Sequence, residues 1–486
     1  MQCMSDAAKQ TPIASRTVVI ALVVAIAQFM QMLDSAVISV ALPPMARDFH
    51  VSPVVVGFGI TVYVLAAAIV IPASAWLADR LGARTLFVGA LAGFAVTSAL
   101  CGLSTQLWEF IGARALQGIA GALMAPVGQM ILMRSVERSQ LLRVINLTSA
   151  PMLVAPVIGP PLGGLLATWF GWPWIFYINL PASVLAIVLA LRFLPNPRGE
   201  RRRFDGTGFV LNAAALAPLL WGLSAVGGGR VAWQIAVAAI VTGLVIGVAA
   251  LRHARNAPHP LLSLTALRHR SFRLTTGSSA FLIRLPITTL IFVLPILLQT
   301  GFGMSPFLAG LLFLGHSGGD LSMKLFTTRL FRQLGYRTIL LVCVVGMSAS
   351  IAASALFTRS TPLALIATIL FVSGSFRSFV MTGLTTLAFS EVEKSEMPSA
   401  TTLSQVSMQL ATAMGVSMSG VLFEISRTLR GGVSGPPTAG DCRIALVVMA
   451  VAALAAVPMF LQLPHDAGSV LSGHRGRRPI GPAAEE

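Results

Sequence analysis

Charge is scarce in this sequence, and negative charge is scarcer: only 10% of the 486 residues are charged, with 34 Lys and Arg against 17 Asp and Glu. A soluble domain carries roughly a quarter of its residues charged, so the scarcity excludes an ordinary water-soluble globule. Cysteine is equally thin. Cys3, Cys101, Cys343 and Cys442 lie far apart, with neither metal-ligand spacing nor a disulfide framework. No His/Cys cluster, nucleophile–base set or phosphate loop is present, which removes the usual signs of an enzyme. The net charge of +17 and pI near 11.4 invite a nucleic-acid reading. The basic residues are spread singly through loops, however, with no basic helix and no aromatic-plus-basic platform, so nucleic acid is not an expected partner. The first apolar stretch follows a polar segment and lacks a small-residue cleavage site, so it reads as a retained helix and not a signal peptide.

What the chain does have is apolar length. Hydrophobic residues make up 55% of it and mean hydropathy is +0.82. Taking about 20 mostly apolar residues per membrane helix, spans fall near 17–41, 54–77, 85–104, 107–133, 144–168, 174–194, 206–226, 232–251, 274–298, 306–328, 338–357, 362–386, 399–425 and 443–463. That predicts an all-α integral membrane protein of fourteen helices embedded in a lipid bilayer, with no loop long enough to form a soluble domain. With the N-terminus inside, 25 Lys and Arg fall in cytoplasmic segments, six in outer segments and three within spans. The positive-inside rule then places both termini in the cytoplasm. The two most basic loops, 192–205 and 252–273, flank spans seven and eight. Treating that pair as an insertion divides the chain into a tail (1–16), a six-helix bundle (17–194), the inserted helices with their basic linkers (195–273), a second six-helix bundle (274–463) and a tail (464–486). Two bundles around a linker is an architecture of transporters built on repeats. A trace of the repeat survives in two loops, Ala78-Asp79-Arg80-Leu81-Gly82-Ala83-Arg84 and Arg332-Gln333-Leu334-Gly335-Tyr336-Arg337.

Carboxylates inside spans are expensive, and Asp34 lies within the first one. Counted from the outer ends of spans one and four, Asp34 and Arg114 both lie about 13 Å deep, so the two can meet. An Asp–Arg pair moved between wet and dry states is a means of binding and releasing a proton; the plain alternative is a static salt bridge that fixes helix packing. The second half carries Arg284, Asp320 and Arg377 about 12–15 Å from the cytoplasmic side. Asp320 is expected to pair with Arg284 or Arg377, either as a second titratable or substrate-contacting site or as a structural pair. Span five holds Gly159-Pro160-Pro161-Leu162-Gly163-Gly164, which by itself predicts a bent, closely packed helix.

Several segments match one family in order. They are Leu33-Asp34 through Pro43, Ala75 through Phe87, Arg114-Ala115-Leu116-Gln117-Gly118, Gly159-Pro160 with Gly163-Gly164, Trp174 through Pro181, Phe204 through Phe209, Leu294 through Gln299 and Thr385 through Phe389. With these the chain resembles the major facilitator superfamily, and within it the 14-span drug:proton antiporters of the EmrB/QacA type. The resemblance implies the major facilitator fold, two six-helix bundles plus two inserted helices, in a bacterial inner membrane. It implies export of drug-like amphipathic or hydrophobic small molecules in exchange for protons, driven by the proton motive force with no cofactor. An endogenous metabolite, siderophore, peptide or lipid precursor is the alternative cargo, and a periplasmic adaptor that carries it across a second membrane stays open. In this reading Asp34 is the proton-sensitive carboxylate and Arg114 its partner, within a fourth-helix motif that includes Gln117 and Gly118. Asp79 caps or pairs at the cytoplasmic gate with Arg80 and Arg84, and Gly82 permits the tight turn. Gly159, Pro160, Gly163 and Gly164 shape the antiporter helix. The chain departs from the pattern at Ala75, Ala83, Ala36, Ser39 and Pro173, which bears on gate strength and cargo more than on coupling.

Overall fold

The computed structural model describes residues 15–136, 138–196, 203–228, 231–258, 260–393, 396–430 and 436–463. The expected tails (but for residues 15 and 16) and part of the basic 192–205 linker lie outside them. Among the described residues the regular structure is helical, in the order α1 (Ser15–Asp48), α2 (Pro53–Leu81), α3 (Ala83–Leu103), α4 (Leu107–Ser135), α5 (Arg138–Trp169), α6 (Trp174–Phe193), α7 (Gly206–Gly228) and α8 (Trp233–Asn256). After the second linker come α9 (Arg270–Gly301), a 49-residue stretch Pro306–Ser354, α12 (Leu363–Ala388), α13 (Met397–Leu429) and α14 (Ala439–Leu461). An unbroken helix of 49 residues would run about 74 Å, more than twice a ~30 Å hydrocarbon core. It does not. Gly335 has φ 75° and ψ 161°, outside helical space, and divides the stretch into α10 (306–334) and α11 (336–354). Gly82, with φ 93°, makes the corresponding turn from α2 into α3. The two tight turns paired by sequence are therefore both glycine turns, and the fourteen expected spans are present.

Within the first six helices α1 packs on α5, α2 on α4, and α3 on α4 and α6; within the last six, α9 packs on α13 and α14, and α10 and α11 on α12. The largest seams between the sets are α5 against α10 and α2 against α13, and α1 also touches α9. The inserted α7 and α8 form a hairpin, and α7 leans on both α2 and α13. Four tryptophans, Trp108, Trp169, Trp174 and Trp233, are at least 49% exposed, and all stand at the same end of the bundle, opposite the start of α1. Such a girdle is the mark of a membrane interface.

Proline explains where the sets touch. The first helix was expected to stop near residue 41, ahead of Pro43, but it continues through Pro43 and Pro44 to Asp48. A proline lacks the N–H that would bond four residues back, which leaves a carbonyl to be satisfied from elsewhere in a dry interior. For Pro44 that carbonyl is Val40 O, and Gln299 Nε2 of α9 donates to it at 2.8 Å. For Pro160 it is Pro156 O, which receives Ser317 Oγ of α10 at 2.8 Å. Each repair crosses from one set of helices to the other.

Glycine supplies the close contact. A Cβ on Gly163 would fall 2.7 Å from Val37 O, and one on Gly164 would meet the Pro306 carbonyl. The hairpin is anchored differently. Asp205 precedes α7 and accepts from Gly208 N at 2.8 Å, from His253 of α8 at 2.8 Å and from Leu261 N at 3.1 Å. Partial burial pushes this carboxyl up, but the Gly208 N–H, His253 and the Leu261 N–H together outweigh it and hold it below the usual carboxylate range.

Two outcomes follow from these contacts. Gly163→Ala is expected to cost about 1–3 kcal/mol by overpacking, seen as a lower melting temperature in detergent. Gly112→Ala, with nothing within 4 Å, is the neutral control. A depressed folded pKa stabilises above the unfolded value and is lost as pH falls through the folded one. The 257–269 linker should therefore resist proteolysis at neutral pH and become cleavable only in acid, whereas Asp205→Ala should leave it cleavable at neutral pH.

Candidate functional site

Asp34 and Arg114 do meet. Arg114 Nη1 lies 2.8 Å from Asp34 Oδ2, and both residues are 1% exposed. Asp34 Oδ1 accepts from Gln117 Nε2 at 3.1 Å and from Asn179 Nδ2 at 3.2 Å. Three N–H donors thus converge on one carboxyl, the set that a carboxylate accepts in full and that replaces its water. The donors are held in turn. Gln117 Oε1 accepts from Arg114 Nη1 at 2.6 Å, and Ser98 Oγ receives Gln117 Nε2 at 2.8 Å and Asn179 Nδ2 at 3.0 Å. The guanidinium lies over the Tyr63 ring, 4.2 Å from its centroid, with Phe176 at 6.0 Å. Five helices, α1, α2, α3, α4 and α6, contribute to one dry polar cluster.

Local sequence explains the placement. Arg114 and Gln117 are three apart on α4 and so share a face. Gly118, the next residue, lets α4 press on α2, where an added Cβ would strike the Tyr63 carbonyl. That contact brings the Tyr63 ring over Arg114. Gly159 lies against Ala36 of α1 and Gly163 against Val37, so α5 braces the stretch of α1 just beyond Asp34.

Ser98, Tyr63 and the direct role of Asn179 were not among the sequence candidates. Asn179 carried a usable signal: it lies five residues past Trp174 as Arg114 lies seven past Leu107, so the depth count that pairs Asp34 with Arg114 also reaches it. Ser98 is one of many hydroxyls in apolar helices and had no distinguishing mark.

The loop and second-half residues differ from expectation in part. Asp79 pairs with Arg134 of α4 at 2.7 Å, not with Arg80 or Arg84. Arg80 instead stacks on Trp76, 5.1 Å from the ring centroid, and Arg84 reaches Leu194 O at 3.4 Å while its backbone N–H donates to Asn196 at 3.1 Å. The reason is the turn at Gly82, which points the chain toward the end of α6 and leaves Asp79 beside the end of α4. In the second half Arg377 Nη1 binds Asp320 Oδ2, and Ser378 Oγ donates to Asp320 O at 2.7 Å. Arg284 does not join them: its Nη1 has no partner among the described residues. It lies on α9, whereas Asp320 and Arg377 lie on α10 and α12, which glycines hold close. Asp320 and Arg377 are about a fifth and a quarter exposed, so this pair is less buried than the first.

A sealed charge cluster inside one of two six-helix sets, in a chain of fourteen spans, defines a polytopic transporter. The family model of the Major Facilitator Superfamily matches residues 24–274 and 276–484, and the chain belongs to that superfamily. It is 34% identical over 462 residues to the "Putative multidrug resistance protein MdtD" of Escherichia coli O6:H1, covering 94% of this chain and 97% of that one. The protein of the same name from Enterobacter sp. strain 638 is 34% identical over the same shares. Among solved structures, a D-xylose-proton symporter superposes with a TM-score of 0.65 at 15% identity, over 93% of this chain and 99% of that one. A bacterial homolog of the human lysosomal transporter Spinster, in an inward-facing and occupied conformation, gives 0.64 at 15% identity over 91% and 95%.

Removing one member of a buried ion pair strands the other charge. Asp34→Asn or Arg114→Met alone is expected to cost about 3–5 kcal/mol, and the double variant to recover much of it. Chemical unfolding of the three variants in detergent measures this coupling.

Proposed function

We propose that this protein is a proton-coupled exporter of amphipathic or hydrophobic small molecules in a bacterial inner membrane, with both termini cytoplasmic and no cofactor. The observation that carries the reading is the dry Asp34–Arg114 pair with Gln117 and Asn179 completing the carboxylate's hydrogen bonds. In this conformation no water is needed to satisfy Asp34. When the helices rock and water reaches the cluster, a proton neutralises Asp34, Arg114 loses its partner, and the donor set rearranges. Substrate binding and proton loading then alternate because each favours a different arrangement of the same charges. The chemistry proposed for the cluster is proton binding and release, without covalent turnover.

Sidedness supports the same scheme. With the N-terminus inside, the tryptophan girdle and the cross-set contacts of Gln299 with Val40, Gly164 with Pro306, and Thr168 with Phe307 at 3.2 Å all lie toward the outer side. The sets are therefore sealed outside, and the rocking step opens the α5–α10 and α2–α13 seams. The relatives' name, multidrug resistance protein, is the reason for preferring drug-like cargo. A single observation favours an endogenous anionic metabolite instead: Arg284, on α9, offers a guanidinium nitrogen without a partner.

The test is transport into proteoliposomes under an imposed pH gradient. Wild type is expected to accumulate lipophilic dyes when the gradient is present, and Asp34→Asn to lose at least tenfold of that rate. Gradient-driven accumulation that survives Asp34→Asn overturns the coupling assignment. If dyes fail and organic anions are carried in an Arg284-dependent way, the cargo is the metabolite.

A further inference from the structure

Away from the charge cluster, the inserted hairpin creates a second feature. Where α7 leans between α2 and α13, the three helices leave a cavity of about 150 Å³. Val54 and Phe58 of α2, Trp221 and Ala225 of α7, Val231 of the α7–α8 loop, and Val416 and Gly420 of α13 form its apolar wall, and among the described residues no charged side chain lines it. Its polar groups are three hydroxyls. Ser224 and Ser417 satisfy each other at 2.6 Å across α7 and α13. Thr61 does not share in this: it is 1% exposed, and its Oγ1 has no partner among the described residues. A buried hydroxyl left unpaired is a cost that a bound donor or acceptor removes. Every wall residue named but Val231 lies within a membrane-spanning helix, and Trp221 is 39% exposed at the side of the bundle. The cavity therefore opens on the flank of the protein, next to the α7–α8 loop.

We propose that this cleft is a lateral binding site for neutral amphipaths drawn from the bilayer. The ligand is about one substituted ring in size, with a single hydroxyl or carbonyl that bonds Thr61 Oγ1 while its body packs on Phe58, Trp221 and Val416. The absence of charge in the wall disfavours organic cations, since nothing there replaces their hydration. The site joins both six-helix sets through the hairpin, so an occupant wedges between α2 and α13, the seam that must shear in any rocking motion. The assignment is independent of proton coupling and holds whether or not Asp34 titrates.

The experiment uses the full-length protein in lipid nanodiscs, without a pH gradient, and a phenol bearing a photoactivatable diazirine as the probe. Labelled peptides are mapped by mass spectrometry, and affinity is read by competition with the unlabelled phenol. The expected result is saturable labelling of the peptides that carry Phe58, Trp221 and Gly420. Thr61→Val should weaken binding about three- to tenfold, the worth of one hydrogen bond, while leaving the melting temperature equal or higher because the unpaired hydroxyl is gone. Gly420→Phe should fill the cleft and abolish labelling, and Gly112→Ala, which has open space around it, should label as wild type does. Labelling that fails to saturate and spreads over the lipid-facing sides of α7 and α8 overturns the proposal. So does a Thr61→Val variant that melts lower yet binds the phenol as tightly as wild type, because that hydroxyl would then be structural.

Discussion

Hydrocarbon offers no partner to a polar group, so a polar atom in the interior of this protein is costly unless another part of the chain satisfies it. That constraint accounts for the charge cluster and for the seams alike. Asp34 cannot remain in α1 without Arg114, Gln117 and Asn179, which belong to α4 and α6. The carbonyls freed by Pro44 and Pro160 cannot remain open, and they draw Gln299 and Ser317 across from the other set. The same rule that makes the fold possible thus decides which helices touch.

The first charge cluster and the second are unlike in setting. The first is almost wholly buried, and both oxygens of its carboxylate accept from side chains of other helices. The second, Asp320 with Arg377, is only partly buried and is held on two helices that glycines bring into close contact. A switch needs a state in which the charge is fully replaced by protein and another in which water returns. The first cluster has the former arrangement already built, which is why we propose the coupling role for Asp34 and not for Asp320.

The inserted hairpin adds a function to this frame that twelve helices alone would lack. It leans on α2 and α13 and is tied down by Asp205, which gathers the start of α7, the last turn of α8 and the following linker. A fixed hairpin beside a moving seam makes a sheltered cleft at the flank of the protein. Its described wall carries no charge, and Thr61 Oγ1 in that wall has no partner among the described residues.

Much of the fold was legible in the sequence because membrane helices announce themselves by length and apolar content, and loop charge sets their direction. Asp34 and Arg114 could be paired by counting residues from the helix ends, since rise per residue is constant. Counting fails once direction around the helix matters. It could not choose between Arg284 and Arg377 as the partner of Asp320, nor foresee that the Gly82 turn sends Asp79 to Arg134. It ended α1 at Pro43, because the remedy for a missing N–H lies on a helix more than 250 residues away in sequence. The sequence determined by itself the number of spans and how far each buried charge lies along its helix, both of which depend on one-dimensional distance in a layered solvent. Only the tertiary structure decided which charges are neighbours, which prolines are repaired and where a cleft remains, because those depend on the rotation of each helix about its axis and on contacts between distant segments.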